Sequence, residues 1–207
     1  NMQMAGWFNK KIESINDLKG LKMRIPGLGG EVLRKIGGVP VILPGGELYT
    51  ALQTGSIDAT EWAGPYNDLA FGFHDIAKYY YYSGWHEPSA LLEFLISEAA
   101  FNKLPSDLKS IVKIAAKAVN QQISTEFSAR NFQAMNTLIE KHGVEINPLP
   151  KSVIKELKNT TQIVLKEQIE KKPSMRKIYE SYSKFQKSIA KYHQMTEAEY
   201  YKNRDTL

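Results

Sequence analysis

From residue 104 to 143 the chain carries one unbroken helical pattern. Apolar residues recur at Leu108, Ile111, Val112, Ala115, Val119, Ile123, Phe127, Met135 and Leu138, and neither Gly nor Pro intervenes between Pro105 and Gly143. Proline suits the first position of a helix, where its missing N–H costs no bond, and glycine suits the end. About 38 residues at ~1.5 Å each give roughly 55 Å of helix, well beyond the ~30 Å across a small domain. A helix that long predicts a molecule of more than one lobe, with this element spanning between them.

Ahead of the helix the periodicity is different. Residues 21–25 (LKMRI) read as a strand closed by Pro26-Gly27, and a helix over 30–36 is stopped by Gly37-Gly38. Residues 39–43 (VPVIL) form a second strand, 45–53 a helix ending at Gly55, 57–62 a third strand and 79–83 a fourth. Such alternation predicts an α/β lobe with a mainly parallel sheet. Residues 90–96 (ALLEFLI) are apolar except for Glu93 and are expected to be a buried strand that crosses between regions. The domain division that follows is 1–97, an α/β lobe with its crossover strand, and 98–207, the spine helix and a C-terminal helical region.

Beyond Gly143, residues 144–146 suggest a short strand, Pro148 and Pro150 a loop, and Ser152 the start of more helix, which Pro173 interrupts or restarts. The last helix carries Met175, Ile178, Tyr182, Phe185, Ile189 and Tyr192, at steps of 3, 4, 3, 4 and 3. This is a narrow heptad seam, the pattern of one helix against another. It either folds back on the long helix or pairs with a second copy of the chain, and a homodimer through these helices is the expectation.

Composition limits the chemistry. Hydrophobic residues make up 43% and charged residues 24%, and no window approaches the ~20 apolar residues of a membrane span. There is no cysteine, which removes disulfides, thiolate nucleophiles and iron–sulfur ligation. The net charge of +5 gathers late, at Lys166, Lys171, Lys172, Arg176, Lys177, Lys184, Lys187 and Lys191. Acidic residues are interleaved there, so the stretch reads as a solvated helix face, and no nucleic-acid-binding signature accompanies it. Gly27-Leu28-Gly29-Gly30 has Val32 where a dinucleotide loop needs its third glycine.

Arg24 lies between Met23 and Ile25 at a strand end, where a planar guanidinium suits a carboxylate in two-point contact. The residues alone leave it open between a ligand anchor and an arginine paired with an internal Asp or Glu. Glu61 and Glu87, beside Trp62 and His86, are hard oxygen donors or simply surface glutamates. Trp62, Tyr66 and Trp85 are water-excluding walls or core aromatics.

Residues 17–88 carry a resemblance that bears on these alternatives. DLKGLKMRIPG (17–27), ELYTALQTGSIDATEW (47–62) and GWHEP (84–88) closely resemble the extracytoplasmic solute receptors of TRAP transporters, DctP type. Trp62 follows Glu61 where many members have Asn, which is similar to the subgroup that binds 2-oxo or 2-hydroxy monocarboxylates with a cation. The resemblance implies a periplasmic-binding-protein-like fold of two lobes and a cleft, a periplasmic location, TRAP membrane subunits as partners, and no enzymatic activity. It implies Arg24 as anchor of the acid, with Trp62, Tyr66 and Trp85 around it. A Na or Ca ion is implied on Glu61, the Trp62 carbonyl, Glu87 and Gln3. Charge agrees: an acid anion beside two glutamates needs a cation. It also implies a chain covering the later half or more of a receptor, a fragment lacking most of the first lobe, and the opening Asn1-Met2-Gln3-Met4 without a basic-then-apolar leader fits that expectation. Two other readings remain: an enzyme acting on an oxo acid through Glu61 and Glu87, and an interaction module built on the long helices.

Overall fold

In the computed structural model, residues 2–90 and 92–204 are described. Strand β1 (Gly6–Phe8) comes first, then β2 (Lys22–Arg24), helix α1 (Gly27–Lys35) and β3 (Val39–Val41). Helix α2 (Leu48–Gln53), β4 (Ala59–Thr60), α3 (Pro65–Ala70) and β5 (Tyr79–Tyr82) follow. The remainder is α4 (Glu98–Asn102), α5 (Ser106–Glu140), β6 (Glu145–Pro148), α6 (Lys151–Lys171), α7 (Ser174–Met195) and α8 (Glu197–Arg204).

The six strands form one sheet in the order β3-β2-β4-β1-β5-β6. β2 is parallel to β3 and β4, and β5 is parallel to β6. β1 runs antiparallel to both of its neighbours, β4 and β5. The sheet is mainly parallel, as expected, but β1 is a strand that pattern reading did not find. Three residues are too short for a period to register.

The first crossover shows why these residues fold as they do. α1 buries Val32 and Leu33 on the sheet and stops where Gly37 takes a left-handed φ of 95°. A Cβ on Gly30 would lie 2.8 Å from the Ile25 carbonyl, so glycine lets the helix lie close to the strand that precedes it. A core of Trp7, Leu48, Leu52, Ile57, Phe73, Ala77, Tyr80, Leu138 and Val144 sits on the sheet. Trp7 stacks on Tyr80 at 4.1 Å, a pairing of opposite residues on β1 and β5 worth about 1 kcal/mol beyond its area.

α5 has 35 residues, about 52 Å at the usual rise. Its apolar stripe is graded: Leu108, Ile111, Val119 and Ile123 are exposed, Phe127 and Met135 half-buried, Ala134 and Leu138 buried. The segment 90–96 departs from expectation. Leu91 lies outside the described residues, and the others form no strand: Leu92, Phe94, Leu95 and Ile96 are all exposed. Apolarity alone makes no strand, because a strand needs a ladder partner, and among the described residues this stretch has none.

The chain divides into two compact units, 1–160 and 161–207. The first reaches past residue 97 because β6 pairs with β5 and because Leu138 and Val144 join the core. In the second, Tyr179 of α7 donates a hydrogen bond to Gln162 Oε1 at 3.3 Å. Pro173 separates α6 from α7, as its place in the sequence implies. On α7, Ile178, Tyr182, Phe185 and Tyr192 are exposed, and Met175 and Ile189 half-exposed. No helix among the described residues is long and apolar enough to cross a membrane.

Candidate functional site

Parallel pairing decides where the site lies. Arg24 is opposite Thr60 across β2 and β4 and opposite Val41 across β2 and β3. All three strands run the same way, so Arg24 and Glu61 emerge together at their carboxyl ends, where open α/β sheets bind their ligands. β1 runs the other way, which brings the residues before it, Gln3 to Ala5, to the same edge. The loop after β5 closes the group: Gly84 N–H donates to the Gln3 carbonyl at 3.0 Å, and Gln3 N–H to the Pro88 carbonyl at 2.9 Å. A Cβ on Gly84 would stand 2.8 Å from that Gln3 carbonyl, so only glycine admits this approach.

At the centre is an ion pair. Arg24 Nη1 donates to Glu61 Oε1, and Nε donates to the Leu43 carbonyl at 3.2 Å. The internal pairing that the sequence left open for Arg24 is therefore present. Glu61 is buried, and its other oxygen, Oε2, lies 3.4 Å from Nε2 of His86. The His86 side chain is 4% exposed, and neither of its ring nitrogens makes a hydrogen bond. Trp62 covers the pair from one side: the Arg24 guanidinium carbon is 5.4 Å from its ring centroid, and Phe71 packs at 4.8 Å. Gly45 makes room for that ring, since a Cβ there would lie 2.6 Å from Trp62 Cη2.

Gln3 is buried, and its Oε1 has no hydrogen-bond partner. A buried amide oxygen with no partner suits a hard cation, and Gln3 stands at the same sheet edge as the buried Glu61 carboxylate, so the donor chemistry fits sodium or calcium. Glu87 is exposed on the loop that holds Gln3. Trp85 is half-buried and meets His86 edge to face at 5.5 Å. The contacts of Tyr66 are with α5: Phe127 at 5.9 Å, the Arg130 guanidinium over its ring at 5.1 Å, and Asn131 Oδ1, which accepts its backbone N–H at 2.9 Å.

Asp68 escaped sequence reading. It is 1% exposed, and its carboxylate accepts from Tyr80 Oη at 2.7 Å, Trp7 Nε1 at 3.1 Å and the Ala63 N–H at 3.2 Å. Burial pushes its carboxyl up to about 6 against those hydrogen bonds, and the charge of Glu61 pushes the same way. Nothing in its local sequence announces this, because its side-chain partners, Tyr80 and Trp7, lie 12 and 61 residues away.

A monocarboxylate 2-oxoacid-binding periplasmic protein of Nostoc is 38% identical over 198 residues, 96% of this chain and 54% of that protein. A TRAP periplasmic solute binding protein of Colwellia psychrerythraea, solved with calcium and pyruvate bound, superposes with a TM-score of 0.93 at 40% identity, covering 98% of this chain and 62% of that one. Its counterpart from Pseudoalteromonas atlantica, with sodium and pyruvate, gives 0.92 at 38%, covering 98% and 61%. The chain thus spans between half and two thirds of the length of these relatives. Residues 1–172 match the DctP family, and the chain belongs to it: the bacterial extracellular solute-binding proteins, family 7.

Proposed function

We propose that the chain is the ligand-holding part of a TRAP-transporter solute receptor in the periplasm. It binds a small 2-oxo or 2-hydroxy monocarboxylate together with sodium or calcium, for delivery to the transporter's membrane subunits. The observation that carries this reading is the ion pair of half-buried Arg24 with buried Glu61 at the carboxyl ends of parallel strands, under Trp62. Arg24 holds the acid's carboxylate, and the Trp62 ring excludes water from it. Glu61, the Trp62 carbonyl, Gln3 Oε1 and Glu87 hold the cation. On this reading Tyr66, near the start of α3, and Trp85, beside His86, complete the wall around the acid. The pyruvate-bound relatives, one with calcium and one with sodium, support both the ligand class and the cation.

Calorimetry with pyruvate and Ca²⁺ tests the reading. Arg24→Ala is expected to weaken pyruvate by about a hundredfold, near 3 kcal/mol, since it removes a charged contact in a desolvated place. Glu61→Gln is expected to weaken Ca²⁺ and pyruvate together. Pyruvate binding by Arg24→Ala within threefold of wild type would remove Arg24 as the anchor. Recovery of pyruvate chemically changed after incubation would favour an enzyme. The exposed seam of α7 adds a second copy of the chain as partner, a homodimer through the C-terminal helices.

A further inference from the structure

Away from the Arg24–Glu61 pair, the first unit gathers a second set of ligating side chains. His74 and Asp75 lie in the short 3-10 turn Phe73–Asp75, and His142 in the turn between α5 and β6. Ligand atoms of the three lie within 4.8 Å of one another. The two imidazole rings are 3.9 Å apart between centroids, and His74 Nε2 is 3.5 Å from Asp75 Oδ1. We infer that His74, Asp75 and His142 form a binding site for a divalent transition-metal ion such as zinc, separate from the oxygen-lined cation site.

Three features support it. The first is the donor set. Two imidazoles with one carboxylate match the ligand preference of zinc, nickel or copper, whereas sodium and calcium favour oxygen alone. Three protein ligands leave a fourth tetrahedral position for water, which suits a site at the surface. The second is preorganisation. Phe73 and Ala77 flank the His74–Asp75 pair, Leu138 and Val144 flank His142, and all four are buried in the same core. Two turns far apart in sequence are thus fixed side by side, and Gly72 and Gly143, at φ of 72° and 63°, let the backbone turn there. The third is the state of His74 itself. Its side chain is only 9% exposed, and its Nδ1 is buried with no hydrogen-bond partner. His74 thus stands fixed against a second imidazole and a carboxylate, a grouping that a shared positive ion stabilises. Tetrahedral ligand atoms about 2.1 Å from zinc are about 3.4 Å apart, so the set must draw together by roughly an ångström. Asp75 and His142 are exposed and can turn to do this, while His74 stays fixed.

The test is calorimetric titration of the untagged, chelator-stripped full chain with Zn²⁺ alone, repeated in millimolar Ca²⁺. One saturable Zn²⁺ per chain is expected, unaffected by Ca²⁺, with affinity falling about tenfold or more in His142→Ala and in Asp75→Asn. Co²⁺ substitution is expected to give visible d–d absorption that His142→Ala removes. Both variants alter exposed side chains, and their circular dichroism checks that the fold persists. Absence of saturable Zn²⁺ binding, its loss in Ca²⁺, or an affinity in His142→Ala within threefold of wild type would each overturn the inference.

Discussion

Asp68 ties the core to the site at the scale of a single residue. Its carboxyl titrates near 6 in the folded protein against about 3.8 unfolded, so the folded state binds this proton more tightly. The stabilisation is complete below the unfolded value and is lost as the pH rises through 6. With ~1.4 kcal/mol per unit, the loss is about 3 kcal/mol. Asp68→Asn is expected to flatten the slope of stability between pH 4 and 6, at the cost of the bond that Ala63 N–H donates. Urea unfolding across that range measures it, and an unchanged slope in the variant would place the proton elsewhere. Asp68 was invisible in the sequence because the side chains that bury and bond it, Trp7 and Tyr80, reach it only through the fold. Arg24, Glu61 and Trp62 were legible for the opposite reason: each sits inside a long contiguous pattern, and parallel register then brings Arg24 to Glu61. Sequence left Arg24 open between ligand anchor and internal ion pair. The internal pair is present, with Nη1 on Glu61 and Nε on the Leu43 carbonyl, and under the proposed function the anchor role follows once a cation draws Glu61 away from Nη1.

Elements with a strong local signal read correctly. α5 extends over 35 residues between its proline and glycine signals, and α7 begins where Pro173 forbids α6 to continue. Elements defined by their partners did not. β1 is three residues long and exists because β4 and β5 flank it, while 90–96 has every apolar attribute of a strand and, among its described residues, no ladder to join. α7 presents a testable intermediate case. Its seam of Ile178, Tyr182 and Phe185 is exposed on a helix with basic and polar flanks. Burying such a seam against a second copy at about 25 cal/mol per Å2 of apolar surface is favourable, and an aspartate in its middle would be desolvated without a partner. Phe185→Asp is therefore expected to convert a dimer to a monomer in light scattering while the helix content stays within a few per cent. An unmodified chain that scatters as a monomer at high concentration would remove the dimer altogether.

The whole first unit is a device for bringing distant segments to one edge of a sheet. Gln3, Arg24, Glu61 with Trp62, and the 84–88 loop come from four stretches of chain, and the reversed direction of β1 is what lets the first of them join the others. Under the proposed function, acid and cation then share a group. Glu61 contacts Arg24 through one oxygen and faces His86 with the other, so a cation that draws on Glu61 frees Arg24 for the acid's carboxylate. Coupling of this kind is reciprocal: if Ca²⁺ raises the affinity for pyruvate by some factor, pyruvate must raise the affinity for Ca²⁺ by the same factor. A factor of about ten, ~1.4 kcal/mol, is expected from one shared charged contact. Calorimetric titrations in both orders measure the two factors. Equal factors well above one support a single joint site, and factors of one in both directions would mean that acid and cation bind independently, leaving Glu61 to serve only as the structural partner of Arg24.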